Sequence, residues 1–102
     1  MNCRVACFLL PCAVALGENH LIVQKDRAFS KSEIQVRRGD SIIFKNTDEV
    51  VHNVFSNTPG LEFDIRRQSP GGSSSVAFLV AGTSEVRCAI HPKMKLIVKV
   101  QP

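Results

Sequence analysis

Tryptophan and tyrosine are absent from this chain of 102 residues. Without them there is no broad aromatic platform on which bases could stack. The 13 Lys and Arg residues are dispersed, with Arg37-Arg38 and Arg66-Arg67 the only adjacent pairs. A formal charge of +4 spread in this way is a mild excess and argues against nucleic acid as a partner. No apolar run approaches the roughly 20 residues of a membrane-spanning helix. No segment beyond residue 15 has the apolar spacing of an amphipathic helix of ordinary length. The haem-attachment pattern C-x-x-C-H is missing as well.

Cysteine is nearly absent from the body of the chain. Of Cys3, Cys7, Cys12 and Cys88, the first three fall in the opening dozen residues. That opening has the layout of a secretory signal: a short basic start through Arg4, an apolar stretch from Val5 to Leu16, and the small-residue cleavage pattern Ala13-Val14-Ala15. Residues 1–15 are expected to be a signal peptide and 16–102 one small domain, periplasmic or secreted. Cleavage there leaves Cys88 alone, so no disulfide within the chain can form. A single thiol in an oxidising compartment is expected to be buried or bound to metal.

What is present around Cys88 decides between those two fates. In Cys88-Ala89-Ile90-His91-Pro92-Lys93-Met94, a thiol, an imidazole and a thioether recur at every third position. Two His and one Cys in a trigonal set, with a weak axial Met, form the type 1 copper site. The loop supplies Cys88, His91 and Met94, and His52 in Val50-Val51-His52-Asn53-Val54 is the expected second imidazole. A Cys–His hydrolase would leave Met94 without a task, and zinc favours Cys, His and carboxylate over a thioether. The donor set therefore points to one copper ion per chain and to no enzymatic activity.

Alternation fills the remainder. Ile34 and Val36 alternate with polar residues, and so do Leu96, Val98 and Val100 with Lys95 and Lys99. Ser41–Asn46, the segment through His52, the segment through Val76 and Phe78, and Val86 to Cys88 read as further strands. Weaker ones are expected near His20 to Lys25 and Leu61 to Ile65. Arg38-Gly39-Asp40, Asn57-Thr58-Pro59-Gly60 and Ser69-Pro70-Gly71-Gly72 are turns. The expectation is an all-β, antiparallel Greek-key sandwich of about eight strands, with Phe29, Phe44, Phe55, Phe63 and Phe78 in its core. His20 is expected near the surface without a partner, and Asp48 and Glu49 as an ordinary solvated turn.

The run Ile34 to Asn46, the pair His52-Asn53 and the segment Cys88 to Met94 resemble the cupredoxins, the small blue copper proteins. The short C-x-x-H-x-x-M spacing, with Pro92 inside it, is similar to the amicyanin loop. Phe63-Asp64-Ile65-Arg66-Arg67-Gln68 resembles plastocyanin-like proteins associated with methylamine utilisation. Val86 and Ser84 stand where many members carry aromatics. The resemblance implies electron transfer by Cu(II)/Cu(I) cycling. It also implies Asn53 as a second-layer residue near the Cys88 sulfur, and an electron port at His91 with Pro92 and Met94 around it. A redox protein docking transiently at the His91 face, and a monomeric state, are the partner expectations. A copper carrier or chaperone with the same ligands is the alternative function.

Overall fold

The computed structural model describes residues 17–102, so the expected signal segment lies outside the described residues. Nine strands run through them: β1 Asn19–Lys25, β2 Ala28–Phe29, β3 Glu33–Arg37, β4 Ser41–Asn46, β5 His52–Ser56, β6 Phe63–Gln68, β7 Ser73–Ala77, β8 Gly82–Arg87 and β9 Lys95–Gln101. They form two sheets, ordered β2-β1-β4-β7 and β3-β9-β8-β5-β6. No helix occurs among the described residues. The ninth strand, β2, escapes the sequence pattern because two residues cannot display a period.

Two pairings depart from the antiparallel expectation. β1 runs parallel to β4, and β3 runs parallel to β9. Alternation reports which face of a strand is buried and is blind to the direction of its neighbour. The expected faces are where the pattern put them. Ile34 and Val36 of β3, Ile42 and Phe44 of β4, and Leu96, Val98 and Val100 of β9 all turn inward. Each such side chain contributes about 1.5–3 kcal/mol on burial. Phe44 is wholly buried, edge-on to Phe29 and stacked near Phe63, and Phe63 meets Phe78 edge-on. Phe55 is the exception among the expected core aromatics. It lies on the outer face of β5, opposite Arg87, in a shallow groove with Asn57, Thr58 and Glu85.

The ends of the sandwich differ in chemistry. At one end, Arg38-Gly39 makes the expected turn, with Gly39 at φ 97°, a conformation open to glycine at little cost. Asp40 follows and closes that end. Its carboxylate accepts from Glu18 N–H at 2.9 Å, Arg37 N–H at 2.8 Å and His20 Nε2 at 2.9 Å. His20 thus has a partner twenty residues away, contrary to expectation.

Burial opposes ionisation of Asp40, but the hydrogen bonds from His20, Arg37 and Glu18 together outweigh it and hold the carboxyl below its ordinary value. A depressed folded-state pKa gives stability that is complete above the unfolded carboxyl pKa, about 3.9. That stability is lost as pH falls through the lower folded value. Asp40→Asn is expected to cost about 2 kcal/mol at neutral pH, the worth of hydrogen bonds to a charged group. Denaturant titrations should show the gap from the parent protein closing between about pH 5 and pH 2. A gap independent of pH would show that the charge of Asp40 has no part in it.

Candidate metal centre

The opposite end gathers the loop after β8 and the start of β5. Cys88 follows β8 directly, on the inward face shared with Val86, and is 1% exposed. His52 opens β5 and has no exposed surface. β5 and β8 are neighbours, so the sheet itself brings these side chains together across 36 positions of sequence. The loop then doubles back into β9, with Met94 N–H donating to His91 O at 3.0 Å.

Three donor atoms converge. Cys88 Sγ lies 3.9 Å from His52 Nδ1 and 3.9 Å from His91 Nδ1, and the two Nδ1 atoms are 3.1 Å apart. A triangle with these sides has its circumcentre about 2.1 Å from each corner. Bonds from nitrogen and sulfur to a first-row metal such as zinc are about 2.0–2.3 Å. The donor set therefore fits one first-row metal ion in both chemistry and spacing. Met94 is 2% exposed and belongs to the same buried cluster as Cys88. Its burial keeps it out of the surface patch in which the cupredoxin resemblance places it. Ile90, 50% exposed, takes that place beside Pro92.

Hydrogen bonds aim these donors. Asp48 Oδ2 lies 2.8 Å from His52 Nε2. The Asp48 carboxyl is lowered to about 2 by the Arg27 N–H first and His52 second, against the opposing effect of burial. It is a carboxylate, able only to accept, so His52 carries its proton on Nε2 and leaves the Nδ1 lone pair facing Cys88. A carboxylate on the far nitrogen of a ligating imidazole fixes both tautomer and ring orientation. Asp48 is therefore more than the ordinary solvated turn residue that the sequence alone suggests. The available signal was an acid four residues before a histidine, which carries meaning only once a turn folds one onto the other. For His91, burial first, then His52 and Arg27, push the imidazole below its usual value, outweighing Asp48. A neutral ring keeps a lone pair for metal.

Asn53 ties three segments to this centre. Its backbone N–H donates to Cys88 Sγ at 3.3 Å, and its Oδ1 accepts from Ala89 N–H at 3.1 Å. Its Nδ2 donates to Asp64 Oδ1 at 2.8 Å and to Arg66 O at 3.2 Å. The last contact exists because of a bulge. Between Asn53 and Phe55 the register with β6 slips, and Arg66 takes a left-handed backbone at φ 67°. Asp64 Oδ1 also accepts from Arg66 N–H at 2.7 Å, which supports that unusual conformation.

Residues 18–101 match the family described as copper-binding proteins of the plastocyanin/azurin family. The chain belongs to that family. The plastocyanin/azurin likeness extends to a curated relative, amicyanin-alpha of Methylorubrum extorquens, 33% identical over 70 residues. That match takes in 66% of this chain and 59% of the relative's own length. Among solved structures, a Cu(I) form of an amicyanin variant superposes with a TM-score of 0.74 at 25% identity, covering 86% of each chain. A purple cupredoxin from Nitrosopumilus maritimus gives 0.72 at 19% identity, covering 80% of this chain and 99% of that one. The nine-stranded arrangement is therefore the cupredoxin sandwich, and the cofactor of this family is copper.

Proposed function

We propose that the protein is an electron carrier of the periplasm or cell exterior, working as residues 16–102 after loss of residues 1–15. In this reading one type 1 copper is held by His52, Cys88 and His91, with Met94 as the axial donor. The convergence of one sulfur and two Nδ1 atoms within 3.9 Å of one another supports it most directly. Copper bound there would supply a one-electron Cu(II)/Cu(I) couple.

The surrounding residues suit that task. Imidazoles favour Cu(II), while thiolate and thioether favour Cu(I), so the mixed set accommodates both. Asp48 on His52 and the Asn53 N–H on Cys88 restrain the donors against movement between oxidation states. Burial of His52, Cys88 and Met94 excludes water and leaves only His91 reaching the surface. That enclosure favours electron passage through the His91 edge over delivery of the ion itself, since a carrier that hands copper on must open its ligands to an acceptor. Copper titration followed by visible and electron paramagnetic resonance spectra tests the reading. One equivalent should generate an intense visible band that is bleached and restored by one electron. Rapid loss of copper to an apo-acceptor, without reversible cycling, would overturn it.

Met94→Gln separates tuning from holding. A carbonyl oxygen is harder than a thioether and favours Cu(II). The variant should keep one copper and show a lower reduction potential by voltammetry. Complete loss of copper from this variant would assign Met94 a holding role instead.

A further inference from the structure

Gln24 has no exposed surface, yet neither its Nε2 nor its Oε1 has a hydrogen-bond partner among the described residues. It takes the inward position after Ile22 on β1, and the register sets it between Phe29 of β2 and Asn46 of β4. The ring of Phe29 offers it no donor or acceptor. Asn46 is equally buried, but its side chain is already engaged. Its Nδ2 donates to Val50 O at 2.9 Å and to Gln68 O at 3.1 Å, and its Oδ1 accepts from Asp48 N–H at 2.9 Å.

Gln68 brings a third amide from the opposite sheet. It is 4% exposed and pairs in register with His52. Its side chain spans the two sheets, with Nε2 donating to Phe44 O at 2.8 Å and to Gly72 O at 3.3 Å. Both hydrogens of that nitrogen are then committed, and Oε1 stays buried without a partner. The metal end of the core thus holds a connected group of three amides. Both polar atoms of the Gln24 amide and one of Gln68 are unpaired in it.

An amide buried without partners loses more than the entropy of immobilising a water molecule. The unpaired atoms are one NH2 donor and two carbonyl acceptors. Water complements that mixture because it accepts and donates at once, and three polar partners are the usual complement of a buried water. We infer that Gln24 and Gln68 hold internal water between them, accepting from Gln24 Nε2 and donating to Gln68 Oε1. The site lies in the protein interior and is independent of the electron-carrier reading. Its setting gives it a positioning task. Gln24 O accepts from Thr47 N–H at 3.0 Å, and Asn46 holds the Asp48 N–H. The hydrated group therefore supports the turn from which Asp48 reaches His52.

Nuclear magnetic resonance reads the site in a diamagnetic sample, metal-free or Cu(I)-loaded. The side-chain NH2 of Gln24 should give cross peaks to water of opposite sign in NOE and ROE spectra, which separates a held water from proton exchange. That measurement uses the parent protein alone. Magnetic relaxation dispersion of water counts long-lived internal molecules. The count should fall by at least one in Gln24→Met, a nearly isosteric apolar replacement. Gln35→Met, at an exposed position of β3, should leave it unchanged. The amides of Thr47 and Asp48 should exchange about 5-fold faster in Gln24→Met, as for loss of one hydrogen bond from that turn.

A Gln24 NH2 with cross peaks to Gln68 and none to water would overturn the inference in favour of direct contact between the amides. So would an unchanged water count in Gln24→Met together with a higher denaturant midpoint, the mark of amide atoms that had been buried dry.

Discussion

Cys88→Ser is expected to abolish the intense visible absorption of the copper-loaded protein and to weaken copper binding severely. The band requires charge to move from a soft, electron-rich sulfur to Cu(II), and a serine hydroxyl is hard and stays protonated. The substitution is nearly isosteric. Asn53 N–H, now 3.3 Å from Sγ, can still donate to an oxygen in the same place. The fold should therefore survive, with a destabilisation of about 1–2 kcal/mol for burying a hydroxyl in place of a thiol. Far-ultraviolet circular dichroism alongside the copper titration separates loss of site from loss of structure. A surviving blue band in a folded Ser variant would place the sulfur of Cys88 outside the metal centre.

Asn53→Ala should produce the largest loss of stability among the residues around the site. It leaves Ala89 N–H without its acceptor and removes the donor that Asp64 and Arg66 O receive from Nδ2. Ala89, Asp64 and Arg66 are exposed residues, so each of the three lost hydrogen bonds is worth about 0.5–1.5 kcal/mol, and a total of about 2–4 kcal/mol is expected. The denaturant midpoint of the copper-free protein should fall with its slope unchanged. In the copper-loaded form the visible band should survive but broaden, because the backbone N–H to sulfur remains while the two segments it aligns are released. A loss below about 1 kcal/mol would mean that water replaces these contacts without penalty.

The cluster of His52, Cys88 and His91 was legible because soft-metal chemistry needs scarce residue types. With three histidines in the chain and one cysteine after residue 15, a Cys-His-Met run has few competing explanations. The inward faces of β3, β4 and β9 were legible for a different reason: a half-buried strand must alternate. What escaped depends on contacts that sequence spacing does not encode. Parallel pairing of β1 with β4 leaves the same alternation as antiparallel pairing. Phe55 was assigned to the core on its hydrophobicity, although β5 places it on the same face as Asn53 and opposite to Val54. The resemblance puts Met94 in the port patch as well as at the metal, yet the turn carries its side chain into the interior. Asp48 looked like a solvent residue because its role exists only after the turn between β4 and β5 has formed. His20 and Asp40 meet only because β1 runs alongside β4.

The position of β9 between β3 and β8 bears on how such a chain is made. During synthesis, β3 and β8 emerge with nothing joining them, and the five-stranded sheet can close only when the last of the nine strands has left the ribosome. The loop that carries Cys88, His91 and Met94 is the segment immediately before that strand. A nascent chain therefore presents His52 long before its companion donors, and those donors gain a fixed spacing only once β9 is in place. With the ligand set proposed above, metal capture would be coupled to completion of the sheet, and an unfinished chain would have no assembled site with which to trap a wrong ion.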